Sequence, residues 1–140
     1  MLKRTLSIAA ATVSAAAVLA VPAAAHAAVY CGTGYNVIAQ ADVKTSSGSK
    51  YGVVYLTYNS GTGKNCVSVV KTAYVGTATA TDVELHVQGV GAFGMPETVK
   101  YYGGPVYASA RGACVKFNAW IQSPSGTAAT GGRSTWGNCG

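Results

Sequence analysis

Apolar and polar positions along this chain fall into two regimes. From Leu6 to about Val21 the residues are almost continuously apolar and rich in Ala, whereas from residue 35 onward short apolar runs alternate with polar ones. A period of two places successive side chains on opposite faces of a strand, so the second regime predicts strands and no helix. The cleanest alternation lies at 82–88, where Val83, Leu85 and Val87 face inward while Asp82, Glu84, His86 and Gln88 face water. At 113–121 the inward set is Ala113, Val115, Phe117, Ala119 and Ile121, and Cys114, Lys116, Asn118 and Trp120 take the other face. Residues 51–58 carry Tyr51, Val53, Tyr55 and Thr57 on one side and Gly52, Val54, Leu56 and Tyr58 on the other, which predicts a strand covered on both faces. Further strands are expected at 35–41, 66–74, 98–102 and 106–109.

The punctuation between these runs sets the architecture. The polar, Gly-containing stretches 45–49 and 59–65 read as turns, the second joining 51–58 and 66–74 in a hairpin. Residues 89–96 are too rich in glycine for a strand, and Pro96 stops pairing, so they read as a loop or crossover. Gly103-Gly104-Pro105 is expected to break the chain between two strands, 110–112 to turn it, and 122–140 to trail as a Ser/Gly/Thr-rich tail held at its end by Trp136 and Cys139. Short strands at regular spacing, with no intervening helical segments, predict an all-β fold: a single small antiparallel sandwich or barrel.

The first regime is an export signal. Lys3 and Arg4 precede the apolar run, Pro22 breaks it, and Ala25-His26-Ala27 meets the small-residue rule for cleavage. The run is short, Ala-rich and without stop-transfer charges, which argues against a membrane span. Residues 1–27 are therefore the expected signal peptide and 28–140 one exported domain. Its composition agrees, since all eighteen glycines and all nine tyrosines of the chain lie beyond the signal.

Export changes the reading of the cysteines. Cys31, Cys66, Cys114 and Cys139 all lie in the exported part, and an even count in an oxidising compartment predicts two disulfides. Three pairings are open; Cys31 with Cys66 and Cys114 with Cys139 is preferred because each bridge then staples one half of the chain. Loops of that size stabilise by roughly 3 to 4 kcal/mol each in the chain-entropy model. No C-x-x-C spacing exists and His86 is the sole histidine beyond the signal, so no metal site is expected, and no cofactor either.

Charge excludes more than it proposes. The whole chain carries +6, and without Lys3 and Arg4 the exported part carries +4. Its eight cations are scattered singly, so no nucleic-acid partner is expected, because a phosphate-binding face needs several that converge. A serine relay would have to use His86 with Asp82 or Glu84, but no nucleophile setting such as G-x-S-x-G accompanies it. Paired carboxylates for glycoside hydrolysis would have to come from Asp42, Asp82, Glu84 and Glu97; Asp82 and Glu84 stand about 7 Å apart along a strand, a spacing that also suits a solvated strand face. The chain is not expected to be an enzyme.

Four pieces in a fixed order carry a family resemblance. They are residues 31–37 (Cys-Gly-Thr-Gly-Tyr-Asn-Val), the run Val54-Tyr55-Leu56-Thr57-Tyr58 with Lys64-Asn65-Cys66-Val67, then Tyr102-Gly103-Gly104-Pro105-Val106-Tyr107, and Gly112-Ala113-Cys114-Val115. With this cysteine frame the chain resembles the spore-associated protein A family, small secreted proteins of spore-forming actinomycetes. The resemblance implies association with the spore surface or cell wall and carries over no catalytic residues. The alternative is a secreted binding module for cell-wall carbohydrate, or an inhibitor of an extracellular enzyme. Contacts would then fall on Trp120, Trp136 and the Tyr101-Tyr102 loop, since such amphipathic rings suit sugars and protein partners. Trp120 shares its face with Lys116 and Asn118, a setting in which an exposed indole stacks on a glycan. Open sheet edges leave self-association as a further expectation.

Overall fold

The computed structural model describes residues 30–140, which form nine strands: β1 (Asn36–Lys44), β2 (Lys50–Asn59), β3 (Lys64–Lys71), β4 (Thr79–Val87), β5 (Gly91–Gly94), β6 (Glu97–Val99), β7 (Tyr102–Ser109), β8 (Val115–Gln122) and β9 (Ala128–Gly137). The expected signal peptide, residues 1–27, and the two residues after it lie outside the described part. All pairings are antiparallel, in the order β5-β4-β8-β9-β1-β2-β3-β7, with β6 also on β4. Half of the pairings, β1 with β2, β2 with β3, β4 with β5 and β8 with β9, are hairpins closed by short turns. No helix among the described residues is long and apolar enough to cross a membrane.

The sheet curls into a nearly closed barrel, which settles the choice between sandwich and barrel. Its ends meet where β4 and β6 approach β7: the Gly104 amide donates to Glu97 Oε2 at 3.0 Å. A Cβ on Gly103 would lie 2.9 Å from Thr81 Oγ1, and one on Gly104 would lie 2.8 Å from the Val67 carbonyl oxygen. Closure therefore depends on two residues without side chains.

Inside the barrel, the alternation read from the sequence becomes the core. Val83, Leu85 and Val87 from β4 meet Val115, Phe117, Ala119 and Ile121 from β8, together with Val43, Val54, Leu56, Val67, Val69 and Val106. Burying a side chain the size of Leu, Ile or Phe contributes roughly 1.5–3 kcal/mol, so Leu85, Phe117 and Ile121, all fully buried, anchor this wall. Gly52 makes room for one of them, since a Cβ there would stand 2.7 Å from Ile121 Cδ1. As expected for a strand covered on both sides, β2 also buries Val53 and Tyr55 on its outer face, where Val37 and Val70 pack against them.

Both disulfides take the preferred pairing. Cys31–Cys66 fastens the segment before β1 to β3, and Cys114–Cys139 fastens the residue before β8 to the segment just past β9.

Three expectations are corrected. Residues 91–94 are a strand, not a loop: Gly91 to Gly94 pair with Val87 to Glu84 of β4. All four are exposed, so no buried alternation marks them in the sequence. Gly103-Gly104-Pro105 does not break a strand but runs within β7, with an irregularity between Val67 and Val69 of the partner that accommodates the proline. Beyond residue 122 the chain is no tail: β9 is ten residues long and lies between β8 and β1. Only Ala129 of β9 is fully buried, which is why composition alone suggested flexibility. As the alternation predicts, β4 turns Val83, Leu85 and Val87 into the core and leaves Asp82, Glu84 and His86 partly exposed on its outer face.

Candidate functional site

The residues singled out from the sequence occupy three separate places. Trp120 lies on the outer face of β8, directly opposite Asp82 of β4. Trp136 projects from β9 and is 42% exposed, with Lys116 Nζ 4.3 Å from the centre of its ring. Tyr101 and Tyr102 stand at the entry to β7, 56% and 38% exposed. The structure does not bring these four together, and the expected neighbour of Trp120 is elsewhere: Lys116 attends Trp136. Register explains the difference, because Trp120 faces Asp82 across the ladder while Lys116 faces His86.

Around Tyr102 the aromatic rings are structural. Tyr30 stacks on Tyr102 with centroids 3.7 Å apart, and Tyr35 tilts against Tyr107 at 5.6 Å. The Tyr107 hydroxyl donates to the Cys31 carbonyl oxygen at 2.8 Å, and burial raises its pKa above the usual phenol value. Together with Cys31–Cys66 these contacts seat residues 30–35 on β3 and β7. Tyr101, the more exposed, contributes its carbonyl to the amide of Lys71.

The outer face between β4, β6 and β8 forms an open groove. Ala80, Thr81, Asp82, Glu84, Pro96, Glu97, Thr98 and Trp120 line it. Three of the chain's four acids therefore gather here, although two come from β4 and one from β6. The fourth, Asp42, is on β1 and pairs with Lys50 at 3.1 Å and Lys44 at 3.5 Å; the hydrogen bond from Lys50 holds its carboxyl below the ordinary value.

Each carboxylate in the groove is differently engaged. Glu84 Oε2 lies 3.0 Å from His86 Nε2, and Glu97 Oε2 accepts the Gly104 amide. Asp82 Oδ1 is shielded from solvent and has no hydrogen-bond partner. Burial, and then the charge of Glu84, push the Asp82 carboxyl above its ordinary pKa, against the backbone amides of Met95 and Val83. Among the described residues no group of three His, Cys, Asp or Glu is arranged to hold a metal.

Glu97 is the residue that sequence reasoning left apart. It was counted among four acids, but nothing local says that it joins Asp82 and Glu84. The short pairing of Thr81 with Glu97 places it there, aided by a bond from Thr81 Oγ1 to the Glu97 carbonyl oxygen at 3.4 Å. A hairpin between β4 and β5 precedes that pairing, and the glycine content of 89–96 concealed it.

Comparison with known proteins adds one relative. The chain is 40% identical over 94 residues to spore-associated protein A of Streptomyces coelicolor, an alignment covering 65% of this chain and 56% of that protein. The chain thus spans little more than half the length of the relative it matches. No family model matches the chain, and no solved structure matches it.

Proposed function

We propose that the chain belongs with spore-associated protein A, to which the matched stretch is similar, and that it is a secreted protein of the spore or cell surface, with a structural or interaction role and no catalysis. The similarity to a spore-associated relative carries this reading. Two disulfides support an extracellular address, since such bonds persist where the environment is oxidising.

The absence of catalysis is read from how the polar groups are used. His86 bonds Glu84 two residues away on the same strand, and Glu97 accepts the Gly104 amide of β7, so both carboxylates already serve contacts within the sheet. A nearly closed barrel with two staples suits a component that must outlast drying, heat or proteases at an exposed surface. Attachment would rest on surface contacts and on open edges such as β5, whose four residues are all exposed.

Incubating the purified, oxidised protein with washed spores and with vegetative cell wall tests the reading. Retention on spores through washes in high salt and mild detergent is the expected result. Equal or absent retention on both materials would contradict it.

A further inference from the structure

We propose that Tyr30 and Tyr102 form a site of oxidative modification, at which a peroxide acting through a haem peroxidase joins the two rings into a dityrosine bridge. The bridge is a third covalent staple for the barrel. Unlike the two disulfides, it is a carbon–carbon bond that reductants do not open.

Ring geometry singles out this pair. Tyr35 and Tyr107 are tilted by 58° with centroids 5.6 Å apart, and Tyr51 meets Tyr74 edge-on, at 88° and 5.1 Å. Both arrangements are ones that the quadrupoles of the rings favour. Tyr30 and Tyr102 lie nearly face to face instead, 16° from parallel and 3.7 Å between centroids. Face-to-face stacking is the arrangement aromatic rings prefer least, so the surrounding structure must hold it. Cys31, beside Tyr30, is bonded to Cys66 and accepts the Tyr107 hydroxyl at 2.8 Å through its carbonyl oxygen, while Tyr102 pairs with Val70 of β3. Two rings tethered in this way meet at a separation close to the roughly 3–3.5 Å from which positioned atoms react.

The chemistry follows from the phenols. Each tyrosine gives up one electron and its hydroxyl proton, leaving a phenoxyl radical whose spin is shared between the oxygen and the ring carbons ortho and para to it. The para carbon carries Cβ, so coupling runs through an ortho carbon, Cε, of each ring. One carbon–carbon bond forms, and each joined carbon then loses its hydrogen as a proton while its oxygen regains one, which restores both aromatic rings and both hydroxyls. Two C–H bonds are thus broken for one C–C bond made. The two electrons and two protons released reduce one peroxide to two waters.

Exposure decides which ring the oxidant reaches. Tyr102 is 38% exposed and Tyr30 half-buried, so the stack is open to oxidation from solvent. Tyr101 is more exposed still, at 56%, and is where coupling between molecules would fall at high concentration. Within one molecule the stacked pair has the advantage of proximity, which does not depend on concentration. The product ties the segment before β1 to the start of β7, the strand at one end of the sheet. Cys31–Cys66 ties the same segment to β3, so the coupled protein keeps residue 30 in place after that disulfide is reduced.

The test treats dilute, disulfide-bonded protein with a haem peroxidase and limiting hydrogen peroxide. Monomer with dityrosine fluorescence is expected, two hydrogens lighter than the starting protein. After reduction and proteolysis, the peptide containing Tyr30 should be joined to the one containing Tyr102. Tyr30→Phe and Tyr102→Phe keep the rings and remove the phenols; each should fold as the wild type does, by circular dichroism, and lose the monomer fluorescence. Tyr35→Phe and Tyr74→Phe should retain it. Coupled protein, once reduced, should unfold at a higher urea concentration than reduced protein that was never coupled. Absence of dityrosine from the monomer, a link that maps to another pair, products joined only between molecules, or equal yield from protein unfolded in urea would overturn the proposal.

Discussion

Lys71→Met is the sharpest test of how the barrel is held shut. Lys71 is only 4% exposed, and its ammonium spends all three donors on neutral oxygens: the Thr77 carbonyl at 2.7 Å, Thr79 Oγ1 at 2.7 Å and the Val99 carbonyl at 3.1 Å. It thereby fastens the end of β3 to the approach of β4 and to β6, the strand that carries Glu97. Hydrogen bonds from a charged donor are worth about 1.5–3 kcal/mol each, or roughly 6 kcal/mol for three. Against this stands the desolvation of an ammonium with no carboxylate at hand, roughly 3 kcal/mol after relaxation. Methionine keeps the stem and removes the head, so the expected net loss is about 3 kcal/mol, or ~12 °C in Tm for a domain of this size. Urea unfolding with an unchanged slope measures it, and amide exchange at residues 97–100 should accelerate. A second signature is alkaline: burial lowers the Lys71 pKa from 10.5, so the folded protein sheds this proton before the unfolded chain does. The wild type should gain stability over the variant as pH rises between the lowered value and 10.5. A variant as stable as the wild type at neutral pH would refute the clamp, because the three bonds would then return no more than the burial of charge costs.

Three other outcomes follow from the same structure. Replacing Cys31 and Cys66 by Ala should cost about 3.8 kcal/mol, and replacing Cys114 and Cys139 about 3.5 kcal/mol, from separations of 35 and 25 residues in the chain-entropy model; identical urea midpoints for oxidised and reduced protein would count against both. The Asp82 carboxyl has a raised pKa, so its favourable contribution is complete below 3.8 and is lost as pH rises through the folded value. Asp82→Asn should therefore raise Tm at neutral pH and show no such advantage at about pH 3, where both proteins are uncharged at this position; a constant difference across pH would show that shape and not charge is responsible. Gly131→Ala places a Cβ against the Asp42 carbonyl oxygen where β9 crosses β1, and a loss of about 3 kcal/mol in urea unfolding is expected from such overpacking; an unaltered midpoint would mean that the crossing is looser than described.

What the sequence made legible is what burial writes into it. β4 and β8 were visible because Val83, Leu85, Val87, Val115, Phe117 and Ile121 alternate with polar neighbours and fill the barrel. The turns at 45–49 and 60–63 were visible for a chemical reason: Thr45 Oγ1 accepts the Ser49 amide, and Asn59 Oδ1 accepts the amides of Gly61 and Thr62. β5 and β9 were hidden because their backbones pair while few of their side chains are buried. Within β9, glycine is required by a close approach of backbone, a constraint that composition reads as looseness. The groove was half legible: Trp120 was placed on the correct face, but its partners are set by the register between β4 and β8 and by the pairing of β6, both non-local.

Fractionation of the native protein tests the central claim most directly. An antibody against the exported domain, applied to culture supernatant, vegetative wall and washed spores, each extracted with salt and then detergent, should find the protein enriched on spores and resistant to salt. Recovery of nearly all of it as free protein in the supernatant, with none on spores, would contradict the account.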